Sequence, residues 1–329
     1  MNQLSLGKFR ALQTASTERG VFAILAVDHR DALRVLLNRA RPESVAAGQL
    51  TEIKLSIVKQ IGPLATAILL DPVYSLGQAI AEGVLPPGTA FLSAIEEQGY
   101  LGDPYSRKTA LLEGWGIEKG KKVGASGVKV LLFYHPQAGE ATERQEKFVT
   151  GLLEECRCFD IPMFLEPIIY SPDPHVSKDS EAFAAQRPQI MVETVRRLGA
   201  LQPDILKLEF PIDCKYEKDE AVWQDACAEL NETSPVPWTL LSGGESLELF
   251  RDQLMVACRN GCSGFLVGRA LWQEAVYLQG DERDKFLQGE ALRRWQVLQT
   301  IADTHAHPWY ERYGVADVDE HWYKDYQAE

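Results

Sequence analysis

Short apolar runs recur along the chain, and most are followed by stretches in which the apolar residues fall on one helical face. Residues 21–28 (VFAILAVD), 66–71 (TAILLD), 91–96 (FLSAIE), 127–135 (GVKVLLFYH), 161–170 (IPMFLEPIIY), 205–211 (ILKLEFP), 236–241 (VPWTLL) and 264–267 (GFLV) lack the polar alternation of a half-exposed strand. They predict strands buried on both faces, as in a parallel sheet. Between them, residues 49–61 place Leu50, Ile53, Ile57, Val58 and Ile61 on one helical face. Further helical stretches fall near 140–159, 180–199, 216–231 and 245–260, and a last one near 284–303 carries Leu287, Leu292, Trp295, Leu298 and Ile301. Strands and helices alternate with no linker between halves. The expected fold is α/β, a single (β/α)8 TIM barrel spanning residues 1–329, with an aromatic and acidic tail at 304–329. A doubly wound open sheet is the alternative, and the absence of G-x-G-x-x-G after the first strand counts against it. The loops at 73–87 and 99–115 are long or irregular, as functional loops often are. The tail fits docking either on the barrel or on a second subunit, which leaves a homo-oligomer open.

Composition narrows the function classes. The 329 residues are 45% hydrophobic and 25% charged, ordinary for one barrel with a sizeable core. No run approaches the roughly 18 uncharged apolar residues of a membrane helix. The opening MNQLSLGK lacks the apolar centre of a signal peptide, so the cytoplasm is the expected location. A net charge of −13 argues against nucleic acid or an anionic membrane as partner. An anionic ligand would need a locally basic pocket. Cys156 and Cys158 are one residue apart and Cys258 and Cys262 one helical turn apart, so neither pair has C-x-x-C spacing and buried reduced thiols are expected. His305 and His307 have no third ligand at a suitable spacing, and no metal site is expected.

One strand carries a residue that burial penalises. In Asp204-Ile205-Leu206-Lys207-Leu208-Glu209-Phe210-Pro211, a lysine stands among leucines and an isoleucine. Burial disfavours an ammonium, and the neutral amine is the form that attacks a carbonyl to make a Schiff base. The run also admits a structural ion pair between Lys207 and Glu209, which share a strand face at roughly 6.5 Å spacing.

The other strand ends weigh against that alternative, because a barrel of this kind keeps its chemistry at the carboxyl ends of its strands. There the chain places Asp28, His29 and Arg30, then Asp71, Glu96, Lys129, Glu166, Lys207 with Glu209, Ser242-Gly243-Gly244-Glu245, and Gly268-Arg269. Two amines and a carboxylate from three adjacent strands, Lys129, Glu166 and Lys207, would meet inside the barrel. An ammonium at Lys129 would help keep Lys207 neutral, and Glu166 would move protons. Ser242 and Glu245 have the spacing of a helix capping box, and the two glycines let a phosphate approach backbone amides there, with Arg269 beside it.

These residues resemble the tagatose-1,6-bisphosphate aldolase family of class I, Schiff-base-forming aldolases. The resemblance is carried by AILAVDHR (23–30), ILLDPVY (68–74), IEEQGY (95–100), GVKVLLFYH (127–135), FLEPIIY (164–170), DILKLEFP (204–211) and LLSGG (240–244). It implies Lys207 as the Schiff-base lysine, Glu166 as the acid/base, and Asp28, His29 and Lys129 as substrate-binding residues. Ser242, Gly243, Gly244, Gly268 and Arg269 become phosphate contacts. It further implies cleavage of a small phosphorylated sugar, a ketose bisphosphate, with no cofactor and no metal. The family commonly reads Asp-Gln-Arg where this chain has Asp28-His29-Arg30, beside the substrate. Rival expectations are a sulfo- or deoxy-sugar phosphate as substrate, a zinc-dependent aldolase, and a non-catalytic sugar-phosphate sensor.

Overall fold

The computed structural model describes residues 2–315, 318–324 and 326; the other positions expected in the tail lie outside the described residues. The strands are β1 (Asn2–Leu4), β2 (Phe22–Ala26), β3 (Ala67–Leu70), β4 (Ala90–Ala94), β5 (Gly127–Tyr134), β6 (Met163–Ile169), β7 (Ile205–Leu208), β8 (Trp238–Leu241), β9 (Gly264–Val267) and β10 (Tyr313–Val315). Strands β2 to β9 form a closed parallel barrel in chain order. Each apolar run of the sequence became one of its staves, most of them trimmed at the ends and β4 starting one residue earlier than expected. The helices are α1 (Leu6–Thr14), α2 (Asp31–Leu37), α3 (Ala47–Ile61), α4 (Leu76–Ala81), α5 (Ile117–Lys122), α6 (Glu140–Cys158), α7 (Glu181–Ala200), α8 (Glu220–Thr233), α9 (Leu247–Arg259), α10 (Arg269–Trp272), α11 (Gly280–Phe286) and α12 (Leu292–His305).

A side-chain layer fills the lower barrel and makes a floor. The rings of Phe22 on β2 and Phe164 on β6 meet edge to face at 5.5 Å. Gly127 leaves room for this floor, because a Cβ there would come within 2.8 Å of Leu92 and 3.4 Å of Phe164. Side chains alternate along a strand, so Glu166 and Lys207 follow Phe164 and Ile205 on the same inner face, one layer higher, while Asp28 lies just past the end of β2.

Three features were not foreseen. Strands β1 and β10 pair as a separate two-stranded sheet, and α1 lies at the amino end of the barrel, where Lys8 reaches Asp204 at 3.0 Å. The described part of the tail docks there too, one of the two places expected for it: Tyr326 Oη accepts from the Gly7 amide at 2.8 Å. The expected last helix is interrupted by a π turn at Leu287–Ala291, between α11 and α12. All six cysteines are free; five are buried as expected, and Cys158, on the outer face of α6, is exposed. No helix among the described residues is long and apolar enough to cross a membrane.

Candidate active site

Above the Phe22–Phe164 floor the barrel holds one connected set of charges. Lys129 stands opposite Ala94 of β4 and Phe164 of β6. Its Nζ donates to Asp28 Oδ2 at 2.9 Å and Glu96 Oε1 at 2.6 Å, and lies 2.8 Å from Glu166 Oε2. The other oxygen of Glu166 is 2.8 Å from Lys207 Nζ. Lys207, Glu166, Lys129 and Glu96 are all buried. Burial opposes the Lys129 ammonium, but Asp28, Glu166 and Glu96 outweigh it and raise its pKa well above the ordinary lysine value. Burial likewise opposes ionisation of Asp28, yet Lys129 and Lys207 hold its carboxyl well below the usual carboxylate range. Lys129 is therefore a fixed cation and Asp28 a fixed anion at neutral pH.

Glu96 completes this set, and the sequence marked it only as a polar strand end. Its Oε2 is buried with no hydrogen-bond partner among the described residues. The Glu96 carbonyl accepts from Arg30 at 2.5 Å, which fixes the loop after β4. That loop folds back on itself through bridges Glu96–Leu111 and Leu101–Lys108. It stacks Arg107 on Tyr100, 4.4 Å from the ring centre.

His29 lies at the rim. Its ring packs edge-on against Trp272 at 5.2 Å, and Nδ1, 3.8 Å from Asp28 Oδ1, is buried without a hydrogen-bond partner among the described residues. Burial, helped by Arg269 and Lys54, pushes its pKa down to about 3 against the pull of Asp28. A neutral imidazole therefore stands at the position where this chain departs from the Asp-Gln-Arg of the family it resembles. Gly268 makes this packing possible, since a Cβ there would fall 2.7 Å from the His29 ring.

Lys54 was missed. It is buried on α3, donates to the Val27 carbonyl at 2.8 Å, and pairs with Asp71. Asp71 also accepts from the amides of Val73 and Tyr74 at 3.0 and 2.8 Å. This latch holds the loop after β3 to the end of β2, next to Asp28 and His29, and it occupies Asp71 fully. A signal was present in the sequence: Lys54 sits inside the apolar stripe, four residues from both Leu50 and Val58.

Ser242, Gly243, Gly244, Gly268 and Arg269 do come together. Arg269 Nη2 donates to the Gly243 carbonyl at 3.1 Å, and the Gly268 amide points at Ser242 Oγ, 3.4 Å away. A Cβ on Gly244 would come within 2.9 Å of the Arg269 guanidinium, and its φ of +91° independently favours glycine. Arg269 Nε is buried without a partner among the described residues. The capping box is corrected. With Gly243 and Gly244 both at positive φ, no helix starts there; α9 begins at Leu247, and Ser246 caps it by accepting from the Leu249 amide. Ser242 and Glu245 make no reciprocal cap, and Arg269 is the first residue of α10 rather than part of the last strand.

The Lys207–Glu209 pair is also corrected. The strand ends at Leu208, and Glu209 turns to the neighbouring stave, accepting from the Ile169 amide at 3.0 Å and pairing with Lys178 and Arg187 at 3.1 and 3.6 Å. Lys207 pairs with Glu166 instead.

The resulting layer offers an amine, a carboxylate in contact with it, and a fixed cation behind that carboxylate. Such an arrangement can form an imine and shuttle protons beside it. A family model described as DeoC/LacD family aldolase matches residues 22–274, a span that runs from β2 past α10. The chain belongs to the DeoC/LacD aldolase family. It is an aldehyde-lyase. The tagatose 1,6-diphosphate aldolase of Listeria monocytogenes serotype 4a is 31% identical over 95% of this chain and 97% of its own. Tagatose 1,6-diphosphate aldolase 2 of Streptococcus mutans serotype c is 30% identical over 95% of this chain and 99% of its own. An archaeal fructose 1,6-bisphosphate aldolase structure covers 90% of this chain and 98% of its own, with a TM-score of 0.60 and 17% identity. A second archaeal structure, with its catalytic lysine bound to a carbinolamine intermediate, covers 90% and 99% with a TM-score of 0.58 and 18% identity. At these identities the structural likenesses establish the shared barrel fold.

Proposed function

We propose that this aldolase cleaves a ketose 1,6-bisphosphate, tagatose 1,6-bisphosphate first among them, through a Schiff base on Lys207. The observation that carries the reading is the buried relay Lys207–Glu166–Lys129, with 2.8 Å at both contacts, on three adjacent staves of the barrel. Its surroundings and the names of its relatives support the substrate class.

Lys207 Nζ, as the free amine, adds to the C2 carbonyl, and the carbinolamine loses water to give an iminium. Glu166, against that nitrogen, takes the proton of the C4 hydroxyl. The C3–C4 electron pair then flows into the iminium, releasing glyceraldehyde 3-phosphate and leaving an enamine. Protonation at C3 and addition of water free Lys207 and dihydroxyacetone phosphate. Lys129 holds Glu166 in place and, with Asp28 and His29, meets the sugar hydroxyls. Ser242 and the amides of Gly243, Gly244 and Gly268, with Arg269, take one phosphate and fix the scissile bond. The reading requires no metal or cofactor, because the ammonium of Lys129 already occupies the point where Asp28, Glu96 and Glu166 converge.

The test is turnover of a panel of epimeric ketose 1,6-bisphosphates, read as triose phosphate release before and after prolonged EDTA treatment. Tagatose 1,6-bisphosphate should be cleaved in both conditions. Activity that disappears with EDTA and returns with zinc would overturn the mechanism, and a panel with no cleavage would overturn the substrate class.

A further inference from the structure

The seam between β6 and β7 is unlike its neighbours. Strand β5 stays in register with β6 up to Tyr134–Ile169, and β7 with β8 up to Leu208–Leu240. Between β6 and β7 the register covers only Phe164–Ile205 and Leu165–Leu206. The ladder stops before the next pair, Glu166 and Lys207.

The sequence explains how the ladder stops without stranding an amide. Alternate residues of a parallel strand turn their peptide groups to the same neighbour. The amides of Met163 and Ile169 both point towards β7, where they donate to side chains, Asp204 at 2.8 Å and Glu209 at 3.0 Å. By the same alternation Pro167 is the residue that faces the opening, and proline has no N–H to lose. A carboxylate therefore closes the seam at each end, and the stretch between them contains the amine and the acid/base.

We infer that Glu209 is a positioning residue: its carboxylate, bridging the Ile169 amide to Lys178 and Arg187, sets the gap across which Lys207 faces Glu166. Arg187 extends the brace by donating to the Phe210 carbonyl at 3.0 Å, so strand β6, the loop after it, helix α7 and the end of β7 are tied at one point. Burial opposes the charge on Glu209, but Lys178 and Arg187 hold its carboxyl below the usual range, and it stays ionised while Lys207 reacts. The inference rests on the reading of Lys207 as the nucleophile.

The experiment is the rate at which borohydride traps substrate on Lys207 at saturating substrate, measured well below each variant's melting midpoint. Glu209→Ala removes the brace, and a displacement of about 1 Å at a reacting pair costs up to roughly 100-fold. Trapping should therefore slow about 10- to 100-fold, while KM changes by less than about threefold, since the phosphate contacts are untouched. Glu209→Gln keeps an acceptor for Ile169 and should recover most of the rate. Lys178→Met, in a half-exposed loop position, should slow trapping by a smaller factor. If Glu209→Ala fails to fold, Lys178→Met decides: slower trapping at unchanged KM supports the brace, and a wild-type rate overturns it. A folded Glu209→Ala with wild-type trapping also overturns it. No adduct on Lys207 in the unsubstituted protein would instead remove the nucleophile reading, and this inference with it.

Discussion

The two ends of the barrel both bury a lysine against carboxylate, and they treat it differently. At the amino end, Lys8 donates to both oxygens of Asp204 at 3.0 Å, and the same carboxylate accepts from the Met163 amide. The backbone carbonyl of Asp204 accepts from Tyr313 at 2.6 Å. Every group in that cluster has its partner. At the carboxyl end, Lys129 serves three carboxylates, Lys207 shares one of them, and Glu96 Oε2 and the Nδ1 of His29 are left without partners among the described residues. A saturated pair resists disruption and does nothing else. The second set is not saturated, and its unpartnered atoms are available to the hydroxyls of a substrate.

The difference should separate under mutation. Glu166→Gln at the mouth should lower kcat by about 100- to 10,000-fold, the usual contribution of a positioned acid/base, with little loss in the urea midpoint. A midpoint that falls in step with kcat would place Glu166 among the structural charges. At the base, Lys8→Met leaves Asp204 buried and unpaired, which should cost about 3–5 kcal/mol of folding stability. Below its melting transition that variant should keep kcat/KM within about threefold, because it touches none of the reacting groups. Loss of turnover in the folded Lys8→Met protein would erase the distinction between the ends.

A smaller effect concerns His29. Its folded pKa of about 3 lies below the ordinary 6.5, so between those values the unfolded chain binds a proton that the folded protein does not. Stability from this residue is therefore present above pH 6.5 and lost as pH falls towards 3. Removing the group removes that loss: the urea midpoint of His29→Gln should fall less steeply between pH 6.5 and 4 than that of the unsubstituted protein. Parallel slopes would mean that the imidazole is solvated rather than buried against Trp272.

Much of this is legible in the sequence, for a physical reason. Staves of a parallel barrel are apolar on both faces, so a charged residue within one stands out. Lys129, Glu166 and Lys207 did so, and the structure puts them in contact. Glu96 was visible at its strand end, but nothing local says that its carboxylate reaches Lys129. Lys54 was hidden because a lysine on a helix is ordinarily solvent-facing. Strands β1 and β10 are three residues each and pair across most of the chain's length, so neither carries a readable period. The capping site moved from Ser242 to Ser246 because positive-φ glycines delay the helix. Glu209 shares alternation with Lys207 in sequence, yet the strand ends between them, and a pattern of alternation holds only while the strand lasts.

The central claim is that the amine of Lys207 is the covalent one. Of the two buried lysines in the relay, Lys129 is held as an ammonium by three carboxylates and Lys207 touches Glu166 alone. Borohydride reduction during turnover, followed by peptide mapping, reads the attachment point directly. The adduct should carry the mass of the reduced triose phosphate or hexose bisphosphate on the peptide containing Lys207. It should vanish in Lys207→Met and persist on Lys207, formed more slowly, in Lys129→Met. An adduct on Lys129, or turnover with no lysine adduct at all, would contradict the account.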